Sequence, residues 1–395
     1  MKKKYNIAIL LDPVNQQVGG SFYSTLRFAD LLKKRGNKII FIAAKYPGRP
    51  NIDYCNNMKI YRFKSILLPK TEKQFYISFP TKKQIEKLII DEKIDILHIM
   101  IPTPAAISSI RAAKKLNIPI IAHSHTQPEN IFLHLPKKIQ SEKINNLCYK
   151  YLIWIYKNAK ITICPSKFSE KLLKKHNKKL KTVVVSNGVD LKKFKKISIK
   201  NFIKKYGISK KDIRILFVGR LHPEKNVETL IKAMQRIVKE NKNVKLDIVG
   251  AGHLREKLEN LTKKLQFEEN VKFYGKISNK ELIEAYNICD IFCLPSIAEL
   301  EGMVVLEAMA CGKPLVIANS KNSASPFFVK NNGMLFKTKD SKDLAKKLLI
   351  LIKDDKLRKK MAKESLKKAE SYDINNSVDK LEEIYTQVKN GRKIL

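Results

Sequence analysis

The sequence predicts an α/β protein made of two doubly wound domains that face a cleft. Three observations carry that expectation. Short β-branched runs alternate with longer segments of helical period, the pattern of parallel strands covered by helices. The series is interrupted once, by a Lys-rich stretch without strong β character, and then restarts. The chain is also 395 residues long, too many for one compact core of ordinary size.

In the first half the strand candidates are NIAILL, KIIFIAA, DILHIM, IPIIAHSH, KITICPS and KTVVVSN. Between them STLRFADLLKKRG, TKKQIEKLIIDEK and PAAISSIRAAKKLN keep a helical period. Residues 191–211 are Lys-rich and read as an inter-domain connection. The strands then resume with IRILFVGR, VKLDIVG, VKFYG, DIFCLPS and KPLVIANS. NVETLIKAMQRIVKEN, HLREKLENLTKKLQ and NKELIEAYNIC lie between them as helices. The predicted boundaries are 1–190 and 191–375, with 376–395 a helix that packs back on the first domain. In open α/β sheets ligands bind beyond the carboxyl ends of the strands, so functional residues should follow strands directly.

Composition narrows the class. A chain 44% hydrophobic and 29% charged belongs to globular proteins. The formal charge is +42, and 68 of the 79 basic residues are Lys, spread along the whole length. An even Lys excess reads as general composition that attracts anions, without the clustering of a dedicated device. The six cysteines form no C-x-x-C pair and read as reduced, packed residues. The apolar run after MKKKYN stops at Asp12, too short for a signal peptide, and no stretch approaches a membrane span. The expected location is cytoplasmic, with any membrane contact peripheral on the inner face.

One window breaks the basic trend. Residues 281–312 contain no Lys or Arg, yet carry Glu281, Glu284, Asp290, Glu299, Glu301 and Glu307. Here DIFCLPS reads as a strand and MVVLEAMACG as a helix ended by Gly312. Glu299 in the loop and Glu307 a turn into the helix suit sugar and ribose hydroxyls. Backbone N–H groups near Gly302, Met303 and Val304 suit phosphate. Glu301 reads as exposed, and Glu299 with Glu301 as an alternative Mg²⁺ pair. Upstream, Arg220 follows a strand and a glycine, and Lys225 precedes a helix start, an arrangement for a pyrophosphate. Gly19 and Gly20 open a helix after the first strand, where the backbone can approach a ligand. His123 and His125 follow a later strand; without a third ligand nearby, hydrogen bonding is favoured over metal binding.

The early Gly-Gly turn, the strand-end histidine, SNGVD, GRLHPEKN and E-x₇-EAMACGKP, in this order, resemble glycosyltransferase family 4. The resemblance spans nearly the whole chain. It implies a GT-B architecture and a retaining, nucleotide-sugar-dependent transfer, the first domain binding the acceptor and the second the donor. It also implies that Gly19 and Gly20 face the donor, His125 meets the transferred sugar, and Arg220 and Lys225 grip the diphosphate. Glu299 would lie beneath the sugar ring and Glu307 would hold the ribose, beside the Gly302–Val304 backbone. Two departures stand out. Leu300-Glu301 replaces the usual aromatic-glycine pair, and Asn226 replaces a common glycine.

The chain has no D-x-D pair, so no metal or other cofactor is expected beside the nucleotide sugar as co-substrate. Frequency favours UDP-glucose as the donor. Residues 131–160 combine Lys137, Lys138, Lys143 and Lys150 with Phe132, Tyr151, Trp154 and Tyr156. That mixture suits an anionic membrane surface, and equally an ordinary amphipathic helix with its aromatics inward. The expected acceptor is therefore a membrane lipid such as diacylglycerol, with a surface-polysaccharide or lipid-linked saccharide intermediate as the alternative. A nucleic-acid-binding protein is the rival of another class; dispersed Lys and the lack of any nucleic-acid motif argue against it. An epimerase or phosphorylase on the same scaffold is the third reading.

Overall fold

A computed structural model describes residues 3–14, 19–68, 75–129, 141–209 and 211–391. The chain divides into two compact units, one formed by Met1–Asn187 with Asn375–Leu395, the other by Gly188–Ile374.

The strands of the first unit are β1 (Asn6–Leu10), β2 (Lys38–Ala44), β3 (Ile52–Cys55), β4 (Met58–Phe63), β5 (Ser65–Leu67), β6 (Tyr76–Ser78), β7 (Ile96–Ile99), β8 (Ile120–His123), β9 (Ile161–Cys164) and β10 (Thr182–Val184). Its helices are α1 (Gly19–Lys34), α2 (Lys82–Asp91), α3 (Ala105–Lys115), α4 (Glu142–Lys157) and α5 (Lys167–His176). Eight of the strands form one sheet in the order β10-β9-β8-β7-β1-β2-β4-β3, parallel except for the β3–β4 pair. Burial explains their composition: β1, β2, β7, β8 and β9 are almost wholly buried, and mainly Ile, Leu and Ala fill both faces. The β3–β4 hairpin turns through Asn56 and Asn57 at φ 50° and 57°, the left-handed pair that a two-residue loop needs and Asn tolerates. Thr81 starts α2 with a reciprocal capping box to Gln84.

The second unit holds a six-stranded parallel sheet of β11 (Ile213–Val218), β12 (Val244–Val249), β13 (Val271–Gly275), β14 (Ile291–Leu294), β16 (Leu315–Asn319) and β18 (Gly333–Lys337). The short β15 (Ala298–Glu299) and β17 (Asn322–Ser323) pair beside it. Its helices are α6 (Lys200–Tyr206), α7 (Val227–Glu240), α8 (Arg255–Lys264), α9 (Asn279–Ile288), α10 (Met303–Ala310), α11 (Ser341–Lys353) and α12 (Asp355–Glu370). The sheet order is β13-β12-β11-β14-β16-β18, which is 3-2-1-4-5-6 in chain order, the doubly wound arrangement. A buried bidentate pair ties two strands: Arg214 of β11 donates from Nε and Nη2 to Asp247 of β12 at 2.7 and 2.6 Å. The Tyr274 hydroxyl adds a third bond to that carboxylate at 3.0 Å.

The stretch expected as a connection belongs to the second unit, because Phe194 and Phe202 bury completely in its core. Phe202 packs on Tyr206 and Tyr274 with ring centroids 4.7 and 5.6 Å away. The last helix, α13 (Ile374–Lys389), returns to the first unit. There Arg35, just past α1, donates to Asp379 at 2.8 Å and to Glu382 at 3.2 Å.

Candidate active site

The winding of the second sheet reverses between β11 and β14, so the segments leaving these two strands splay apart and open a crevice at their carboxyl ends. The segment after β11 carries Arg220 and Lys225, and the one after β14 carries Glu299. Sequence separation of more than 70 residues is therefore erased by topology. The end of β11 is held against the end of β12 by Gly250, at φ 136°. A Cβ there would fall 1.9 Å from the Gly219 carbonyl oxygen, so only glycine allows the approach.

The Lys225 ammonium lies 2.5 Å from Glu299 Oε1, with both side chains mostly buried. Arg220 donates to Glu224 at 3.0 Å; its side chain is 45% exposed, whereas that of Glu224 is buried. Each cation expected at a diphosphate thus has a carboxylate beside it. Gly302 caps α10 at φ 92°, and a Cβ on it would meet the Ser325 hydroxyl at 2.3 Å. This tight turn points the first N–H groups of α10, those of Met303 and Val304, out of the helix end.

Glu307 is buried in α10 and accepts a 2.9 Å hydrogen bond from the Tyr286 hydroxyl. That bond orients the carboxylate in the second turn of the helix. Glu301 corrects the expectation of an exposed side chain. It is buried, on a segment whose backbone carbonyl accepts from Ser325 Oγ at 3.4 Å. The cation-free window is not a bare acidic patch. Lys205 reaches Glu281 at 2.5 Å and Lys225 reaches Glu299 from outside it, while the Arg214 N–H donates to Asp290 at 2.8 Å.

In the first unit the winding reverses between β1 and β7. Asp12, just past β1, is fully buried and accepts from the Ser78 hydroxyl at 2.5 Å. Burial raises its pKa, and the hydroxyls of Ser78 and Thr103 pull it part of the way back. Three histidines stack beside one another from neighbouring strands. The rings of His98 (β7) and His123 (β8) are 5.7 Å apart and within 13° of parallel, and those of His123 and His125 are 4.2 Å apart and within 11°. His98 Nδ1 is 2.8 Å from the Tyr385 hydroxyl. Burial keeps all three neutral: His98 is pushed down to about 3, His125 to about 4, and His123 well below the ordinary imidazole range. Both ring nitrogens of His123 and the Nε2 atoms of His98 and His125 are buried without a hydrogen-bond partner among the described residues. Parallel rings send their nitrogens along parallel planes, a geometry for hydrogen-bonding neighbours and not for converging on one metal. Gly19 and Gly20 form the first turn of α1 after β1.

The sequence-expected residues therefore fall into two sets. Arg220, Lys225, Glu299, Gly302, Met303, Val304 and Glu307 collect at the β11/β14 edge of the second unit. Gly19, Gly20 and His125 follow strands β1 and β8 of the first. Sequence reasoning passed over Asp12, His98, Tyr286 and Glu224. Asp12 had a readable signal, a lone carboxylate at the end of an all-apolar strand. Tyr286 had none, since it sits at an ordinary core position of α9.

Comparison with known proteins follows this division. The family model described as "Glycosyltransferase Family 4" matches residues 18–193, and that described as "Glycosyl transferases group 1" matches residues 198–368. A Streptococcus pneumoniae protein named alpha-monoglucosyldiacylglycerol synthase is 26% identical over 78% of this chain and 70% of its own length. The sucrose-phosphate synthase structure from Thermosynechococcus elongatus superposes with a TM-score of 0.83 at 18% identity, covering 98% of this chain and 100% of that one. An Anabaena protein solved in complex with UDP-glucose superposes with a TM-score of 0.76 at 19% identity, over 97% of this chain and 100% of its own. These likenesses give the GT-B fold.

Proposed function

The chain belongs to glycosyltransferase family 4, and from that premise we propose that it moves a hexose from a nucleotide sugar to a membrane-lipid acceptor with retention of the anomeric configuration. UDP-glucose is the proposed donor and a diacylglycerol-type lipid the proposed acceptor. The observation that carries the reading is the Lys225–Glu299 pair, 2.5 Å apart at the switch point, with Arg220 on the same segment after β11.

Breaking an anomeric C–O bond leaves charge on a nucleoside diphosphate. In this reading Arg220 and Lys225 turn from their carboxylates to the diphosphate, and the N–H groups of Met303 and Val304 complete its cradle. A donor aimed at developing charge contributes ~3–4 kcal/mol in comparable sites. Glu299, released from Lys225, accepts from the sugar hydroxyls, and Glu307, oriented by Tyr286, accepts from the ribose. Gly19, Gly20 and His125 are proposed as further donor-binding residues. A neutral His125 can exchange hydrogen bonds with a sugar hydroxyl without attracting the diphosphate.

Retention by double displacement needs a free carboxylate nucleophile about 5 Å from a second carboxyl group. Glu299 lies in the loop, and the carboxylate eight residues on, Glu307, is buried in the helix and engaged by the Tyr286 phenol, so this pair does not supply one. This favours same-face substitution, in which the departing phosphate oxygen accepts the proton of the incoming hydroxyl. The lipid acceptor is supported by the pneumococcal relative's name. The proposed membrane contact is peripheral, on the inner face; among the described residues no helix is long and apolar enough to cross a membrane.

The test combines titration with UDP, GDP and ADP, NMR of the product anomer, and Arg220→Ala. Tight UDP binding, an α product from an α donor, and a 10²–10³-fold loss of turnover in a folded variant are expected. Inversion, or near-normal turnover of Arg220→Ala, would refute the reading.

A further inference from the structure

Helix α4 presents two unlike faces. Tyr149, Leu152, Ile153, Ile155 and Tyr156 are buried in the core of the first unit. On the opposite side Lys143, Leu147, Lys150, Trp154 and Lys157 are all exposed, at spacings of four, three, four and three residues. At 100° per residue these five lie within an arc of about 80° and run for about 21 Å along the helix. Cationic and apolar side chains alternate along the whole stripe, and it contains no carboxylate. Leu147 is 65% and Trp154 43% exposed, both large apolar side chains facing solvent. The upstream part of the segment singled out in the sequence, with Phe132, Lys137 and Lys138, lies outside the described residues.

We propose that this stripe of α4 is a docking face for a lipid bilayer bearing anionic headgroups. The charge is complementary: three ammonium groups and no acid meet a negatively charged surface, each worth about a fivefold gain in partitioning onto such a surface. The apolar members decide between anionic partners. Leu147 gains nothing from a phosphodiester backbone, whereas an indole and a leucine between lysines sink to the boundary of headgroups and acyl chains. The lysine stems extend along the same boundary and leave their ammonium groups among the phosphates. A helix seated in this way lies parallel to the membrane plane, and the core face behind it stays packed. The inference deepens the lipid-acceptor reading by naming how the enzyme would reach its substrate. It does not depend on which lipid is glycosylated.

The experiment is co-sedimentation of the full chain with vesicles of equimolar phosphatidylglycerol and phosphatidylcholine, without donor or diacylglycerol, against vesicles of phosphatidylcholine alone. The parent is expected to bind the anionic vesicles. Combined Leu147→Ala and Trp154→Ala, and separately combined Lys143→Gln, Lys150→Gln and Lys157→Gln, should each abolish most of it, the lysine variant by about a hundredfold. Combined Lys360→Gln, Lys363→Gln and Lys367→Gln removes the same charge from exposed positions of α12 and should change binding little. Circular dichroism and UDP affinity confirm that each variant is folded. Absent binding, equal losses in the two lysine variants, or intact binding in the Leu147/Trp154 variant overturns the proposal. So does preferential retention on single-stranded RNA that depends on the α4 lysines alone. Because the assay contains no reaction, its failure leaves glycosyl transfer untouched, and a wrong acceptor leaves the docking result standing.

Discussion

Lys225 Nζ sits 2.5 Å from Glu299 Oε1, joining the segment after β11 to the segment after β14 across 74 residues of sequence. In the free protein each charge satisfies the other inside a mostly buried crevice. With donor bound, both have new work, one at the diphosphate and one at the sugar. Lys225→Met and Glu299→Gln should each lower kcat/KM about a hundredfold or more. The double variant should lose less than the product of the two, because the partners act as one unit. A double-mutant cycle in steady-state kinetics checks this; strict multiplicativity would separate their roles.

The Arg214–Asp247 pair is a stability element with no part in the chemistry. Arg214→Met leaves the buried Asp247 hydrogen-bonded, among the described residues, to the neutral Tyr274 hydroxyl, with the Lys272 charge close enough to act on it. The expected cost is about 3–5 kcal/mol, read from urea unfolding of the second unit. Arg214→Met with Asp247→Leu should recover most of it, since removing both charges also removes the unpaired one.

Gly302→Ala combines a left-handed backbone with a Cβ 2.3 Å from Ser325 Oγ. Backbone preference alone costs about 1–2 kcal/mol. Any relief of the clash rotates the first turn of α10, so nucleotide affinity should fall about tenfold or more. Gly302→Ala with Ser325→Gly relieves the contact and should regain affinity more than stability. Isothermal titration with UDP, paired with thermal melts, separates the two effects.

The histidine stack sets an acid limit. His98, His123 and His125 have folded pKa values below the unfolded value near 6.5. Above pH 6.5 neither state is protonated and nothing is lost. As pH falls below 6.5 the unfolded chain takes up protons that the folded chain refuses. Each histidine then removes about 1.4 kcal/mol of stability per pH unit, down to its own folded pKa, near 4 for His125 and near 3 for His98. Asp12 works in the opposite sense: its raised pKa adds stability as pH falls through that value. Urea midpoints between pH 7 and pH 4 should drop steeply in the parent and less in His98→Gln, which keeps a hydrogen-bonding group beside Tyr385.

Much of this architecture was legible because the parallel strands are buried on both faces and so spell themselves as uninterrupted apolar runs. β3, β4 and β18 were passed over for the reverse reason. β3 and β4 alternate inward and outward residues and carry Tyr54, Lys59 and Arg62, and β18 is an edge strand opening on Gly333. At the site, the absence of Lys and Arg from 281–312 marked the acidic loop. What the window lacked could not reveal where its counter-charges come from, since Lys225 and Lys205 arrive by tertiary folding. Glu301 looked exposed because charged loop residues usually are, whereas tertiary folding buries it on a segment that Ser325 holds by its backbone carbonyl.

The return of α13 has a bearing on synthesis. Arg35 waits for Asp379, 344 positions later, and His98 waits for Tyr385, 287 positions later. A ribosome therefore releases everything that the 188–374 unit needs before it releases the piece that finishes the unit begun first. The nascent amino-terminal half must idle with an unsealed flank while its neighbour matures, which makes it the half that a chaperone would be expected to hold.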